Sequence, residues 1–170
     1  LPYPGLVQVV EGNFYAEGVK LFNVDALQIP GMHNIENTVA ALTACWQLIK
    51  DPVLLERGVR NFKGLPHRIE LVREYRGVRY YNDSYSSAPV ASMAAMKSFV
   101  DPQVVLLGGV DKGADFSELI EYVKLSPHIK KVLLMGQMGP KLASLFREGG
   151  VQDERYELMD TPVLGDIVAH

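Results

Sequence analysis

Three short stretches carry residue types able to hold a small anionic or hydroxylated ligand. Asn82-Asp83-Ser84-Tyr85-Ser86-Ser87 offers a carboxylate, an amide and hydroxyls. The run from Gly108 to Asp115 reads Gly-Gly-Val-Asp-Lys-Gly-Ala-Asp, with two glycines that let a ligand approach the backbone and a lysine at the rim. Gly136-Gln137-Met138-Gly139 is a third glycine-bounded loop. An aspartate after a strand can accept hydrogen bonds from a ribose diol, and the same short polar side chains can equally cap the next helix. Lys112 can hold an anionic group, and its loop also reads as a tight strand-to-helix turn with a solvated lysine and Asp115 as N-cap. Neither common phosphate motif is present: G-x-G-x-x-G requires glycine where Val110 stands, and no Gly-Lys-Ser/Thr occurs. Taken singly, Asn37 reads as a solvated amide and Arg68 as a surface charge. His33, His67, His128 and His170 are scattered, which gives no metal-ligand spacing.

The elements that must position these loops follow from periodicity. Leu6 to Val10, Phe14 to Glu17 and Val19 to Phe22 are short alternating runs punctuated by Gly12-Asn13 and Gly18, the pattern of an antiparallel meander. Apolar residues then recur at Ile35, Val39, Leu42, Trp46 and Ile49, one stripe of a helix with Asn34 as its expected N-cap and Pro52 beyond its end. Cys45, beside Trp46, is expected to be a small buried residue. Val53 to Phe62 predicts a second helix, and Lys63-Gly64-Leu65-Pro66 a linker. Ile69 to Tyr75 and Val78 to Tyr81 flank Arg76-Gly77 as a hairpin. After it, helical runs (Ala88–Phe99, Phe116–Leu125, Lys141–Arg147) alternate with short apolar runs (Val104–Leu107, Lys131–Met135, Tyr156–Met159), the signature of parallel βαβ units. The expected fold is α/β, with a small β-meander and two helices over residues 1–63 and a doubly wound, Rossmann-like domain over 64–170. In such sheets ligands bind beyond the carboxyl ends of the strands.

Composition narrows the function classes. The 170 residues carry 17 Lys+Arg against 20 Asp+Glu, a net charge of −3, so there is no cationic excess for a nucleic-acid backbone. No run approaches the roughly 18 apolar residues of a membrane span, and no signal peptide is evident. One cysteine makes no internal disulfide. We therefore expect a soluble, cytoplasmic protein. The first residue is Leu1 rather than Met and the last helical run stops at His170, from which we expect a segment of a longer polypeptide.

Gly31-Met32-His33-Asn34-Ile35-Glu36-Asn37, Gly64-Leu65-Pro66-His67-Arg68, Asn82-Asp83-Ser84 and Gly108-Gly109-Val110-Asp111-Lys112-Gly113 occur in that order. In order and interval they resemble four signatures of the Mur ligase superfamily, most closely its D-glutamate-adding branch. The resemblance runs from about Gly31 to Asp160, and Leu1 to Pro30 fits the β-rich end of the family's central ATPase domain. It implies a monomeric, cytoplasmic ligase of peptidoglycan synthesis. ATP and Mg²⁺ turn the carboxylate of UDP-MurNAc-L-alanine into an acyl phosphate, which the amine of D-glutamate attacks. Residues 1–63 would be the end of the ATP-binding domain, and 64–170 most of the amino-acid-binding domain.

Carried over residue by residue, Asn37 resembles an adenine-side contact, with Asn34 and His67 as further nucleotide candidates. Arg68 resembles the linker arginine that reaches ATP, and Asp83 the acidic residue near its ribose. Lys112 resembles the lysine that pairs with the D-glutamate carboxylate, and Ser87 stands where a threonine commonly donates to the same amino acid. The resemblance thus has nucleotide binding across an interdomain cleft, with Arg68, Asp83 and Lys112 converging. One departure concerns the acceptor: after Asn-Asp-Ser the branch usually continues Lys-Ala-Thr-Asn, whereas this chain has Tyr85-Ser86-Ser87-Ala88. No catalytic residue is assigned within the chain. The phosphate loop and Mg²⁺ ligands are expected outside it, and the 170 residues alone are expected to be inactive. Two other readings stay open: a sister ligase such as a folylpolyglutamate synthase or another Mur enzyme, and a noncatalytic α/β module that binds a small anion.

Overall fold

The computed structural model describes residues 6–161 and 163–169, so Leu1, Pro162 and His170 lie outside the described residues. The chain divides into two compact units, one running to Tyr85 and the other starting at Ser86.

The first unit opens with the expected meander, β1 (Val7–Val10), β2 (Asn13–Ala16) and β3 (Val19–Asn23), paired antiparallel in sequence order. Its two turns are Glu11-Gly12 and Glu17-Gly18, with both residues of each at positive φ, the left-handed pair whose twist suits a two-residue hairpin. One face of the sheet buries Phe14, Ala16, Leu21 and Phe22 against Val39, Leu42 and Trp46 of α1 (Met32–Trp46) and Leu55 of α2 (Pro52–Asn61). Asp51 caps α2, accepting from Val53 N–H (2.9 Å) and Leu54 N–H (3.2 Å) ahead of Pro52 at the first turn.

Three local expectations for α1 are corrected. The N-cap is Gly31, at φ 103°, and not Asn34. Asn34 lies inside the first turn and donates back to the Pro30 carbonyl at 2.6 Å, because the helix begins three residues before its apolar stripe. Cys45 is exposed, not buried, since at 100° per residue it falls on the flank of the Val39–Leu42–Trp46 stripe. Ile49 lies beyond the helix end and is exposed.

Glu17, at the β2–β3 turn, locks the meander to α1. One of its carboxylate oxygens accepts from both Trp46 Nε1 and Lys50 Nζ at 2.9 Å, and Lys50 stands 4.8 Å over the Trp46 ring. Lys50, and then the indole N–H, hold the Glu17 carboxyl below its ordinary value. A carboxyl depressed on folding stabilises the folded state above its unfolded pKa, and that contribution is lost as pH falls through the folded pKa. We therefore expect wild type to exceed Glu17→Gln in thermal midpoint at neutral pH, with the gap closing only at pH values below the normal glutamate pKa. Calorimetric scans of both proteins across pH check this, and a gap independent of pH contradicts it.

The expected hairpin follows α2: β4 (Glu70–Tyr75) and β5 (Val78–Asn82) pair antiparallel as their own two-stranded sheet around Arg76-Gly77, again both at positive φ. The second unit is α/β. β6 (Gln103–Leu107), β7 (Ile129–Leu134) and β8 (Tyr156–Leu158) form a parallel sheet in the order β6-β7-β8. Around it run α3 (Pro89–Lys97), α4 (Ser117–Leu125), α5 (Gly139–Glu148) and the short α6 (Leu164–Ala169). Its core joins Val132 and Leu134 of β7 to Met93 and Met96 of α3, Leu119 and Val123 of α4, and Leu142 and Phe146 of α5. Among the described residues no helix is long and apolar enough to cross a membrane.

Candidate functional site

The residues singled out from the sequence fall into two constellations, one in each unit. In the first unit, the segment Pro66–Ile69 enters the hairpin and is folded against its exit. His67 and Ile69 both have positive φ, 64° and 45°. For a β-branched residue this is a true outlier, and such strain persists only where surrounding bonds over-determine it. Here those bonds are visible. The Ile69 N–H donates to Asp83 Oδ1 at 3.1 Å, the His67 N–H donates to Glu70 Oε2 at 2.8 Å, and the Tyr85 N–H donates to the His67 carbonyl at 3.1 Å. Asn82 Nδ2 lies 2.8 Å from His67 Nδ1, which fixes the imidazole, and the Tyr85 ring stands edge-on to it with centroids 5.5 Å apart.

Arg68 sits between the two strained residues. Only its backbone is engaged, by a 3.2 Å bond from its N–H to the Leu65 carbonyl. Its side chain is exposed and has no ion-pair or hydrogen-bond partner among the described residues. An exposed guanidinium thus stands between two strained positions, its donors unused among the described residues. His67, Arg68 and Asp83 are brought together by this corner. Asn34 and Asn37 are on the first turns of α1, where Asn37 Nδ2 donates to Asn34 Oδ1 at 3.4 Å. That leaves the Asn37 carbonyl oxygen, on an exposed side chain, for an external donor. Glu70 was not singled out from the sequence. Its position three residues after His67, the spacing at which a carboxylate reaches back to a backbone N–H, was the available signal.

In the second unit Lys112 lies in the loop beyond the carboxyl end of β6, at the edge of a parallel sheet where ligands commonly bind. Two successive strand-to-helix loops meet there. Met135 N–H donates to the Leu107 carbonyl at 2.9 Å and Met138 N–H to the Gly109 carbonyl at 3.1 Å, so the β6–α4 loop is zipped onto the β7–α5 loop. Gly108 is needed because a Cβ there would lie 2.6 Å from the Met135 carbonyl oxygen, and Gly109 has φ 121°. Asp111 accepts from Gly113 N–H at 2.9 Å and from Lys141 Nζ, in the first turn of α5, at 2.6 Å. Lys141 first, and then Gly113, hold its carboxyl below the usual carboxylate range. Lys141 is a residue the sequence reading missed, since nothing local joins positions 30 apart.

Lys112 is exposed, without an ion-pair or hydrogen-bond partner among the described residues. Ser87 is exposed just before α3. Asp115 accepts from the Ser117 N–H (2.9 Å) and hydroxyl (2.6 Å), which keeps its carboxyl low, but the N-cap of α4 is Phe116 and not Asp115, which stands one residue ahead of it. Among the described residues no group of three or more His, Cys, Asp or Glu is placed to hold a metal ion.

No family model matches the chain. Among curated proteins, the UDP-N-acetylmuramoylalanine–D-glutamate ligase of Caldicellulosiruptor saccharolyticus is 39% identical over 138 residues, 81% of this chain and 30% of its own length. The ligase of the same name from Caldanaerobacter subterraneus is 34% identical over 153 residues, 90% of this chain and 34% of its own. The chain thus spans about a third of the length of the curated relatives it matches. Among solved structures, MurF from Acinetobacter baumannii aligns with a TM-score of 0.67 at 16% identity, over 96% of this chain and 37% of that one. Mycobacterium tuberculosis folylpolyglutamate synthase, complexed with ADP and AMPPCP, aligns with a TM-score of 0.65 at 18% identity, over 96% of this chain and 38% of that one. Over most of its length this chain is therefore similar to the UDP-N-acetylmuramoylalanine–D-glutamate ligases, and its fold is shared with the Mur ligases of solved structure.

Proposed function

We propose that this chain contributes nucleotide and amino-acid contacts to an ATP-dependent acid–amino-acid ligase that adds D-glutamate to UDP-N-acetylmuramoyl-L-alanine in peptidoglycan synthesis. The observation that carries the reading is Lys112: an ammonium without a partner among the described residues, on a glycine-bounded loop at the carboxyl edge of a parallel sheet, in a chain 34–39% identical to D-glutamate ligases. An acidic acceptor has to be held by its carboxylate while its amine attacks an activated acyl group. Ligation of this kind depends chiefly on placement and on cations facing developing negative charge.

In this reading Lys112 grips an acceptor carboxylate and Ser87 donates a hydrogen bond to the same amino acid. Arg68 reaches the phosphates of ATP, Asp83 accepts from its ribose, and Asn37 faces its base, with Asn34 and His67 holding Asn37 and the Arg68 segment in place. ATP supplies the phosphoryl group that activates the carboxylate. The Mg²⁺ that accompanies ATP is given no ligand among these residues in this reading, and no step is assigned to it.

Arg68 separates the two halves of this reading. In the intact protein we expect Arg68→Ala to raise the KM for ATP roughly tenfold, the effect of losing one charge-assisted hydrogen bond, while the KM for the amino acid stays within twofold. Steady-state phosphate release with each substrate varied in turn measures both. An unchanged KM for ATP removes Arg68 from the nucleotide site.

A further inference from the structure

We propose that Asp111 and Lys141 act as a positioning pair that sets the Lys112 loop and keeps its ammonium available, thereby tuning affinity for the acceptor carboxylate. The inference rests on the reading of Lys112 given above and adds two residues to it.

The loop has few other restraints. Gly109 at φ 121° and Gly113 at φ 70° bound the segment with the two most permissive backbone positions. Between them, among the described residues, the hydrogen bonds all run through the Asp111 carboxylate, to Gly113 N–H inside the loop and to Lys141 Nζ on α5. The carboxylate thus brackets residue 112: one bond closes the loop behind it and the other anchors the loop to a helix. Both side chains are nearly half exposed, 47% for Lys141 and 44% for Asp111, and an exposed ion pair of that kind adds little to folding stability. Its consequence is local.

Charge gives the second argument. Asp111 is the immediate neighbour of Lys112, and an unneutralised carboxylate there would compete for the Lys112 ammonium and repel an incoming carboxylate. Lys141 absorbs that charge at 2.6 Å, and Lys112 is left without a partner among the described residues. The two members of the pair are therefore not equivalent. Removing Lys141 frees a negative charge beside the site, whereas removing the charge of Asp111 only loosens the loop.

The test is a kinetic series in the intact protein: wild type, Lys141→Met, Lys141→Arg, Asp111→Asn and Lys112→Ala, with the KM values for the acidic amino acid and for ATP, kcat and thermal midpoint measured for each. We expect Lys141→Met to raise the amino-acid KM about tenfold, Asp111→Asn to raise it about threefold, and Lys141→Arg to restore it to within twofold of wild type. The KM for ATP and the thermal midpoint should stay near wild type throughout. An amino-acid KM within twofold of wild type for Lys141→Met overturns the pairing role, as does a parallel rise in the KM for ATP or a failure of Lys141→Arg to rescue. If Lys112→Ala leaves the amino-acid KM unchanged, the assignment of Lys112 fails and this inference with it. If Lys112→Ala raises it while Lys141→Met does not, this inference alone fails.

Discussion

Lys112→Ala is expected to weaken binding of the acidic amino acid by roughly 10- to 100-fold, the range spanned by one charge-assisted hydrogen bond between an ammonium and a carboxylate. The effect should be selective. Lys112 is exposed and without a partner among the described residues, so its removal breaks no hydrogen bond or ion pair seen among them. Substitution of a surface residue away from such contacts changes stability by about 0.5 kcal/mol or less. Titration calorimetry of the intact protein with D-glutamate in the presence of an ATP analogue, paired with a thermal scan, reads both quantities. Raising the salt should weaken binding to wild type and leave binding to the variant nearly unchanged, so that the difference between them shrinks, because screening acts only on a charge that is there. A thermal midpoint that falls along with affinity, or an affinity that does not change, contradicts the role assigned to Lys112.

The second large effect belongs to Gly108, and its cause is steric. A methyl group at this position meets the Met135 backbone oxygen at 2.6 Å and Met135 Cγ at 2.9 Å. The side-chain atom can swing away, but the oxygen belongs to a residue whose own N–H is bonded to the Leu107 carbonyl at 2.9 Å. Gly108→Ala must therefore push the β6–α4 loop off the β7–α5 loop, at a cost of about 1–3 kcal/mol typical of overpacking. In a unit of this size that lowers the thermal midpoint by about 4–8 °C per kcal/mol. Because the displaced loop bears Lys112 and Asp111, amino-acid affinity should fall together with stability. Gly58→Ala supplies the control. That glycine lies within α2, at ordinary negative φ, and a Cβ added to it would meet nothing within 4 Å, so the same substitution there should stabilise the helix by about 0.5–1 kcal/mol. Equal thermal midpoints for the Gly108 and Gly58 variants contradict the steric argument.

The readings that succeeded concern local physics. Each of the three tight turns contains a glycine at positive φ paired with Glu11, Glu17 or Arg76, and a glycine between two alternating runs announces such a turn without reference to the rest of the chain. The stripe Val39, Leu42 and Trp46 is buried as its spacing requires. The readings that failed lie at boundaries. Asn34 precedes the apolar stripe as a cap would, yet α1 starts at Met32, directly after Gly31, whose φ of 103° suits a residue without a Cβ. Cys45 has the residue type of a buried position, but its angle around the helix carries it past the edge of the apolar stripe, and it is exposed.

The site divides in the same way. That Asp83 directly follows a strand and that Lys112 stands between glycines after another is legible from periods and turns alone, because strand ends and loops are specified by residues within a few positions of each other. Three things were not legible: that Asp83 captures the N–H of Ile69, 14 residues away; that Lys141 reaches Asp111 across 30; and that Glu17 collects Trp46 and Lys50 across 29 and 33. These bonds depend on which loops the pairing of strands brings side by side. That pairing is settled by burial of the whole core and leaves no periodic trace near the residues it joins.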